Sequence, residues 1–373
     1  VKFFKRYLFE QIQKDLKEKM VFVCGPRQVG KTTLAREIFS KNSSGYLNWD
    51  IDEHRERILK HQLPVSEYWI FDEIHKYKGW RNFLKGLCDL HGRNKKILVT
   101  GSGRLDFYRF GGDSLQGRYH FLRLHPLSVG ELKMKSQKDF QDLIRFGGFP
   151  EPFFRGSEAF AKRWSREYRT RLINEDIEDV EKIQDIAKLE LMILRLPELV
   201  GSPLSLNSLR GDLQVAHKTL ARWIEVLERM YGIFRILPFG PAKIRAVKKE
   251  KKHYHFDWTL VKDASLRFEN LVASHLMKWV HFKQDVSGMD IELRYFRDVE
   301  GREIDFVIME DSKPLQFIEC KWSDVEISKS LKYMKNRFKN CQFYQVYFEG
   351  TKEYISKEGI IVISALKFLQ NLL

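Results

Sequence analysis

Residues 20–39 read MVFVCGPRQVGKTTLAREIF. Met20–Cys24 is an apolar run of strand length, and TTLAREIF carries a helical period. Between them Gly25-Pro26-Arg27-Gln28-Val29-Gly30-Lys31-Thr32 fits G-x-x-x-x-G-K-[ST] in a strand-to-helix setting. Glycines let such a loop wrap until its backbone N–H groups point inward, and the helix start adds partial positive charge. A nucleoside triphosphate is the fitting ligand. Lys31 is placed to reach the β- and γ-phosphates, and the Thr32 hydroxyl to ligate Mg²⁺. Gly25, Pro26, Arg27, Gln28, Val29, Gly30, Lys31, Thr32 and Thr33 form the candidate ATP site.

Outward from this loop, apolar runs alternate with helical patterns. The runs are YLNWD (Tyr46–Asp50), YWIFDE (Tyr68–Glu73), KILVTG (Lys96–Gly101) and HFLRL (His120–Leu124). This alternation predicts an α/β doubly wound domain with a parallel sheet covered on both faces. YWIFDE ends in two carboxylates, and charge at the end of a buried strand is costly unless a cation compensates it. Asp72 is expected at the Mg²⁺, and Glu73 to orient and deprotonate the attacking water. Either element alone is an ordinary strand end, but both in order point to nucleotide hydrolysis. Ser102, just past KILVTG, is the candidate to hold the lytic water. Arg118, in Leu115-Gln-Gly-Arg118, reads either as an arginine finger acting on a neighbouring subunit or as a surface arginine.

The chain has 373 residues, room for two or three domains of about 150 residues each. With 43% apolar and 31% charged residues it can bury real cores, which excludes a wholly disordered chain. Cys24, Cys88, Cys320 and Cys341 show no C-x-x-C spacing, so neither a disulfide scaffold nor a cysteine zinc ribbon is expected. No apolar run reaches about 18 residues, so no membrane span is expected. The opening VKFFKRYLFEQIQKDLKEKM is a charged amphipathic helix pattern without the apolar centre of a signal peptide. The expectation is a reduced, cytoplasmic, soluble protein. The formal charge of +15 suits nucleic acid or another anionic surface.

Beyond Pro126 the helical period dominates, with breaks at Gly147-Gly148-Phe149-Pro150 and Gly201-Ser202-Pro203. Residues 204–239 read as a winged helix-turn-helix. Leu206, Leu209 and Leu213 pattern a first helix; Leu220, Trp223, Ile224, Leu227 and Met230 pattern a second that begins at His217; Ile233–Leu237 is the wing strand. His217, Lys218, Thr219 and Arg222 could meet DNA there, as could the basic run Lys243, Arg245, Lys248, Lys249, Lys251 and Lys252. A protein-binding winged helix with a solvated charge run is the plainer alternative. The last part places Glu269 on a helix, Asp305 in GREIDFVIM and Glu319-Cys-Lys321 in LQFIECKW. Strand period two puts Glu319 and Lys321 on one face. The order E…D…E-x-K resembles the PD-(D/E)xK nuclease fold, in which two carboxylates can hold Mg²⁺ and a lysine can position water. Such folds are also reused for binding alone. His253 and His255 share a strand face with no further ligand set in view, and Cys320 faces the core.

Taken in order, GPRQVGKTTLA, Asp72-Glu73, TGS at 100–102, LQGR, HPLSVGEL, GGFPEP, FDW at 256–258, RFENLVASHL, GREIDFVI and IECKW resemble a prokaryotic AAA-type ATPase family carrying a C-terminal DUF4143 domain. The likeness spans nearly the whole chain; Gly103 departs from it where the family often has a second serine. The resemblance implies three parts: an AAA-type P-loop core with the start of a helical lid over residues 1–155, a helical linker and winged helix over 156–253, and an α+β, restriction-endonuclease-like domain over 254–373. The expected activity is Mg²⁺-dependent ATP binding and hydrolysis coupled to engagement of DNA or protein. The alternatives are an ATP-gated Mg²⁺-dependent DNA endonuclease and a slow nucleotide switch that binds protein partners. A finger arginine would imply a homo-oligomer.

Overall fold

Five short runs form the first sheet: β1 (Met20–Cys24), β2 (Tyr46–Asn48), β3 (Tyr68–Asp72), β4 (Lys96–Thr100) and β5 (Tyr119–Arg123). All of its pairings are parallel, in the order β2-β3-β4-β1-β5. The computed structural model describes residues 4–39, 43–92, 94–101, 115–173, 185–240 and 250–373. Along β1 alternate side chains point to opposite faces, and every one is buried. Met20, Phe22 and Cys24 join a core with Phe71, Val99 and the helix Trp80–His91. That helix supplies Trp80, Phe83, Leu84 and Leu87, one stripe at helical spacing. Val21, Val23 and Leu98 are buried on the other face. The expected α/β sheet is therefore present, and it occupies one compact unit: residues 1–126 with the short pieces 229–231 and 285–287.

The second unit comprises 127–228, 232–284 and 288–373. Its opening helices include Gln137–Phe146 and Glu158–Arg171, capped by the Ser136 and Ser157 side chains. The helices Leu206–Leu213 and His217–Arg229 are joined by a turn in which Gln214 is left-handed, with φ of 53°. Leu220, Trp223, Ile224, Leu227 and Met230 are all buried, so the apolar stripe read from the sequence faces the core. An antiparallel hairpin follows, β6 (Ile233–Pro238) with β7 (Lys252–His255).

This hairpin is not confined to the middle of the chain. β6 also pairs in parallel with β8 (Ile291–Arg297), through Leu237 with Arg294 and Pro238 with Tyr295. With β9 (Glu303–Glu310), β10 (Lys313–Ser323), β11 (Gln342–Glu349), β12 (Tyr354–Ile355) and β13 (Ile361–Ser364) it makes one mixed sheet, ordered β12-β13-β11-β10-β9-β8-β6-β7. A division between residues 253 and 254 would thus cut through β7, because a sequence pattern shows a hairpin but not the strand that pairs with its outer side. The helix Ala264–Ser287, capped by the Asp263 side chain and ended by Gly288 at φ 65°, carries Glu269 against this sheet's residues. Phe296, Val307, Phe317 and Phe343 build the core on one face with Leu331 and Met334 of the helix Lys329–Arg337.

Candidate functional site

The strand order explains the first site. β4 lies between β1 and β3, so the carboxyl ends of all three are neighbours. After Cys24 the chain turns at Gly25, whose φ is +147° and where a Cβ would stand 2.2 Å from the Leu124 carbonyl oxygen. Only glycine fits there. Gly30 is left-handed and opens the helix Lys31–Ile38. Val29 is fully buried, and the buried Arg6 donates to its carbonyl at 2.5 Å and to that of His125 at 2.6 Å. Arg6 therefore braces the loop from outside, a role the sequence did not reveal.

Asp72 is buried at 4% exposure and is the hub of the site. Its Oδ2 accepts from the Thr32 hydroxyl at 2.7 Å and the Tyr46 hydroxyl at 2.9 Å, and its Oδ1 from the Thr100 hydroxyl at 2.6 Å. The Thr32 and Asp72 oxygens are hard donors placed side by side, which suits Mg²⁺. Lys31 is buried, and its ammonium donates to the carbonyls of Gly25 at 3.0 Å and Pro26 at 2.7 Å. Burial pulls its pKa down, and the Glu73 and Asp72 carboxylates oppose that. Glu73 is left-handed, with φ of 56°, and its N–H donates to the Thr100 carbonyl at 2.9 Å. Such backbone outliers concentrate at functional sites. Burial pushes its carboxyl above the usual range, against the pull of Lys31 and Lys76. A base so raised is better matched to neutral pH.

Tyr46 and Thr100 were not among the expected site residues. Neither stands in the loop motif, and only the strand order brings them to Asp72. Burial first, and then the Asp72 charge, push the Tyr46 phenol up to about 12, so it remains a donor. Tyr46→Phe removes one of the hydrogen bonds that fix Asp72 and keeps the ring. A loss of about tenfold in turnover is expected, with a higher Mg²⁺ requirement, because one such bond to a charged group is worth about 1.5–3 kcal/mol. Steady-state hydrolysis across a Mg²⁺ titration checks it.

Two other expected residues lie apart. Ser102 falls outside the described residues. Arg118 is at the amino end of β5 and pairs with Asp89 at 3.0 Å. The loop starts at the opposite end of the sheet, roughly 17 Å away at ~3.3 Å per residue. Arg118 does not serve the phosphate loop of its own chain.

The second cluster lies in the other unit. Glu269, Asp305, Glu319 and Lys321 do come together, and a further residue, Lys252, sits against Glu269 and Asp305. Lys252 is fully buried and forms an ion pair with Glu303. This corrects the sequence reading, which counted Lys252 in a solvent-facing basic run. The Lys321 ammonium donates to Glu319 Oε1 at 2.8 Å. Burial first, then the Asp305 charge, raise Glu269 to about 7 and Glu319 to about 8. Burial also raises Asp305, against the pull of Lys252. Gly201 lies close by: a Cβ there would be 3.1 Å from Glu269 Oε2. His253 and His255 are both buried, and burial pulls them down to about 4 and about 3. Cys320 is only partly buried. Its N–H donates to Asp305 Oδ2 at 2.8 Å.

Of the DNA candidates, His217, Lys218 and Arg222 are exposed on the helix His217–Arg229. Lys243, Arg245, Lys248 and Lys249 lie outside the described residues. Among the described residues no helix is long and apolar enough to cross a membrane, and all four cysteines are free thiols.

Family models match three consecutive stretches: an AAA domain over 17–133, the domain of unknown function DUF8612 over 137–270, and the domain of unknown function DUF4143 over 266–368. An uncharacterized protein of Methanocaldococcus jannaschii is 22% identical over 379 residues, covering 90% of this chain and 83% of the relative. An uncharacterized protein of Mycobacterium tuberculosis is 23% identical over 327 residues, covering 84% of this chain and 73% of the relative. Among solved structures, the Walker-type ATPase of Pyrococcus abyssi has a TM-score of 0.46 at 16% identity, covering 71% of this chain and 96% of that one. The RuvB Holliday junction branch migration motor of Thermotoga maritima has a TM-score of 0.28 at 20% identity, covering 65% of this chain and 91% of that one. With the AAA match lying over the phosphate loop and the DUF4143 match at the other end, the chain carries an AAA domain followed by a C-terminal DUF4143 domain, the combination its motifs resemble.

Proposed function

We propose that the protein binds Mg²⁺-ATP at residues 25–33, hydrolyses it, and uses the nucleotide state to govern its engagement of DNA. The observation that carries the catalytic part is the convergence of Thr32 and Thr100 on the buried Asp72, beside the buried Lys31. Thr32 and Asp72 would hold the Mg²⁺, which supplies charge neutralisation at the phosphates. The Lys31 ammonium turns from the Gly25 and Pro26 carbonyls to the β- and γ-phosphate oxygens. Glu73 takes the proton of the attacking water at its carboxylate. Arg118, which does not reach its own loop, is assigned to a neighbouring copy in a homo-oligomer.

The DNA part rests on the charge of +15 and on Lys218 and Arg222, one turn apart and exposed at the start of the second helix of the helix-turn-helix. Here the helix-turn-helix and the β6–β7 hairpin act as a winged helix. The test is ATP turnover with Mg²⁺ at low salt, with and without duplex DNA, with Lys31→Ala as the blank. Turnover that rises with DNA and loses this response in Lys218→Ala/Arg222→Ala supports the proposal. Turnover indifferent to DNA overturns the DNA part and leaves a nucleotide switch that binds protein partners.

A further inference from the structure

The C-terminal cluster has the carboxylates of a metal-dependent nuclease but already contains a cation. The Lys252 ammonium pairs with Glu303 and lies 3.6 Å from Glu269 Oε1 and 4.0 Å from Asp305 Oδ1. It also stands 5.4 Å from the centre of the Tyr295 ring. The inward oxygens are engaged: Glu269 Oε1 accepts from the Tyr254 hydroxyl at 2.7 Å, and Asp305 Oδ2 accepts from the Cys320 N–H at 2.8 Å. The backbone of Lys252 is pinned as well. It pairs with Ile236 across the hairpin and bridges to Pro203, and the neighbouring Lys251 carbonyl accepts from the Leu204 N–H at 2.9 Å.

A divalent cation requires several oxygens converging at about 2.0–2.6 Å. Among the described residues no three His, Cys, Asp or Glu side chains converge in that way. An ammonium held among the same carboxylates would repel an incoming metal at short range. We infer that the Lys252 ammonium takes the place of a divalent cation in this centre, so that the wild-type C-terminal domain takes up no Mg²⁺ there. The E…D…E-x-K set then acts as an ion-paired core of a binding domain, and metal-dependent cutting of DNA is not its work. Glu319 is ion-paired within the same set, with the Lys321 ammonium donating to its Oε1 at 2.8 Å.

The test uses the full chain without nucleotide and Mn²⁺ as the probe, with bound ion counted by electron paramagnetic resonance. Wild type and Asp305→Asn are expected to take up the same amount. Lys252→Met is expected to gain one Mn²⁺ per chain, at least tenfold tighter than any in the wild type, and to lose it again in Lys252→Met/Asp305→Asn. Wild-type Mn²⁺ binding that Asp305→Asn abolishes overturns the inference, as does a folded Lys252→Met chain with no added site. If Lys252→Met does not fold alone, recovery of its folding by Mn²⁺ supports the inference, and absence of recovery together with a wild-type site lost in Asp305→Asn sinks it. ATP turnover in Lys252→Met remains at the wild-type level, which separates this result from any failure at the phosphate loop.

Discussion

Glu73→Gln leaves ATP bound and slows its hydrolysis by about 10²–10⁴-fold, the range expected when a positioned general base is removed. The amide keeps the size of the side chain, and the left-handed backbone at Glu73 is fixed from elsewhere, by its N–H on the Thr100 carbonyl. Thr32, Asp72 and Thr100 remain joined, so the metal and phosphate sites are untouched. Equal nucleotide affinity with a single-turnover rate reduced by that factor is the expected outcome; a reduction below about tenfold removes Glu73 from the base role. Burial raises the Glu73 carboxyl above its usual range. The base works when ionised, so wild-type turnover falls on the acid side through a pKa above that of a free carboxyl. In Glu73→Gln this acid limb disappears.

The second large effect is on stability. Glu269 and Glu319 are raised from 4.5 to about 7 and about 8, with burial as the main cause and the neighbouring Asp305 charge next. In the folded chain these carboxyls therefore bind protons that the unfolded chain has released. Their contribution is fully present below about pH 4.5 and is lost as pH rises through 7 and 8. Glu319→Gln replaces the costly ionised group with a neutral one of the same shape. The variant is expected to show a flatter dependence of stability on pH between 5 and 8.5. It should exceed wild type at pH 8.5 by on the order of 3 kcal/mol. Denaturant titrations at the two pH values check both points. A wild type and variant with the same pH dependence over this interval would show that Glu319 stays ionised throughout.

The parts of this architecture written in local pattern were legible. Met20–Cys24 reads as a strand because five apolar residues end at a glycine, and His217 reads as a helix start because Leu220, Trp223, Ile224 and Leu227 follow at helical spacing. Lys31, Thr32, Asp72 and Glu73 were legible because each sits at the end of such an element. What depends on strand order was not. Tyr46 reaches Asp72 because β2 pairs with one side of β3, and Thr100 because β4 pairs with the other. Lys252 shows the same limit more sharply. Counted along the chain it belongs with Lys248, Lys249 and Lys251, yet its partners are Glu269, Glu303 and Asp305, brought to it by a helix and a distant strand. A run of like charge in sequence says nothing about which member folding will neutralise.

The pairing of β6 with β8 also governs the order in which this protein can be made. During synthesis the β6–β7 hairpin is made before Ile291–Arg297, so Leu237 and Pro238 must wait for Arg294 and Tyr295. Until then the outer side of β6 is an open strand edge, the kind that recruits wrong neighbours. The helix Ala264–Ser287 is translated inside that interval, and it carries the Glu269 that Lys252 will meet. Closure of the sheet, neutralisation of the buried lysine and protection of the nascent edge therefore fall together in one late step of biogenesis. A chaperone or a pause in translation has the most to do there.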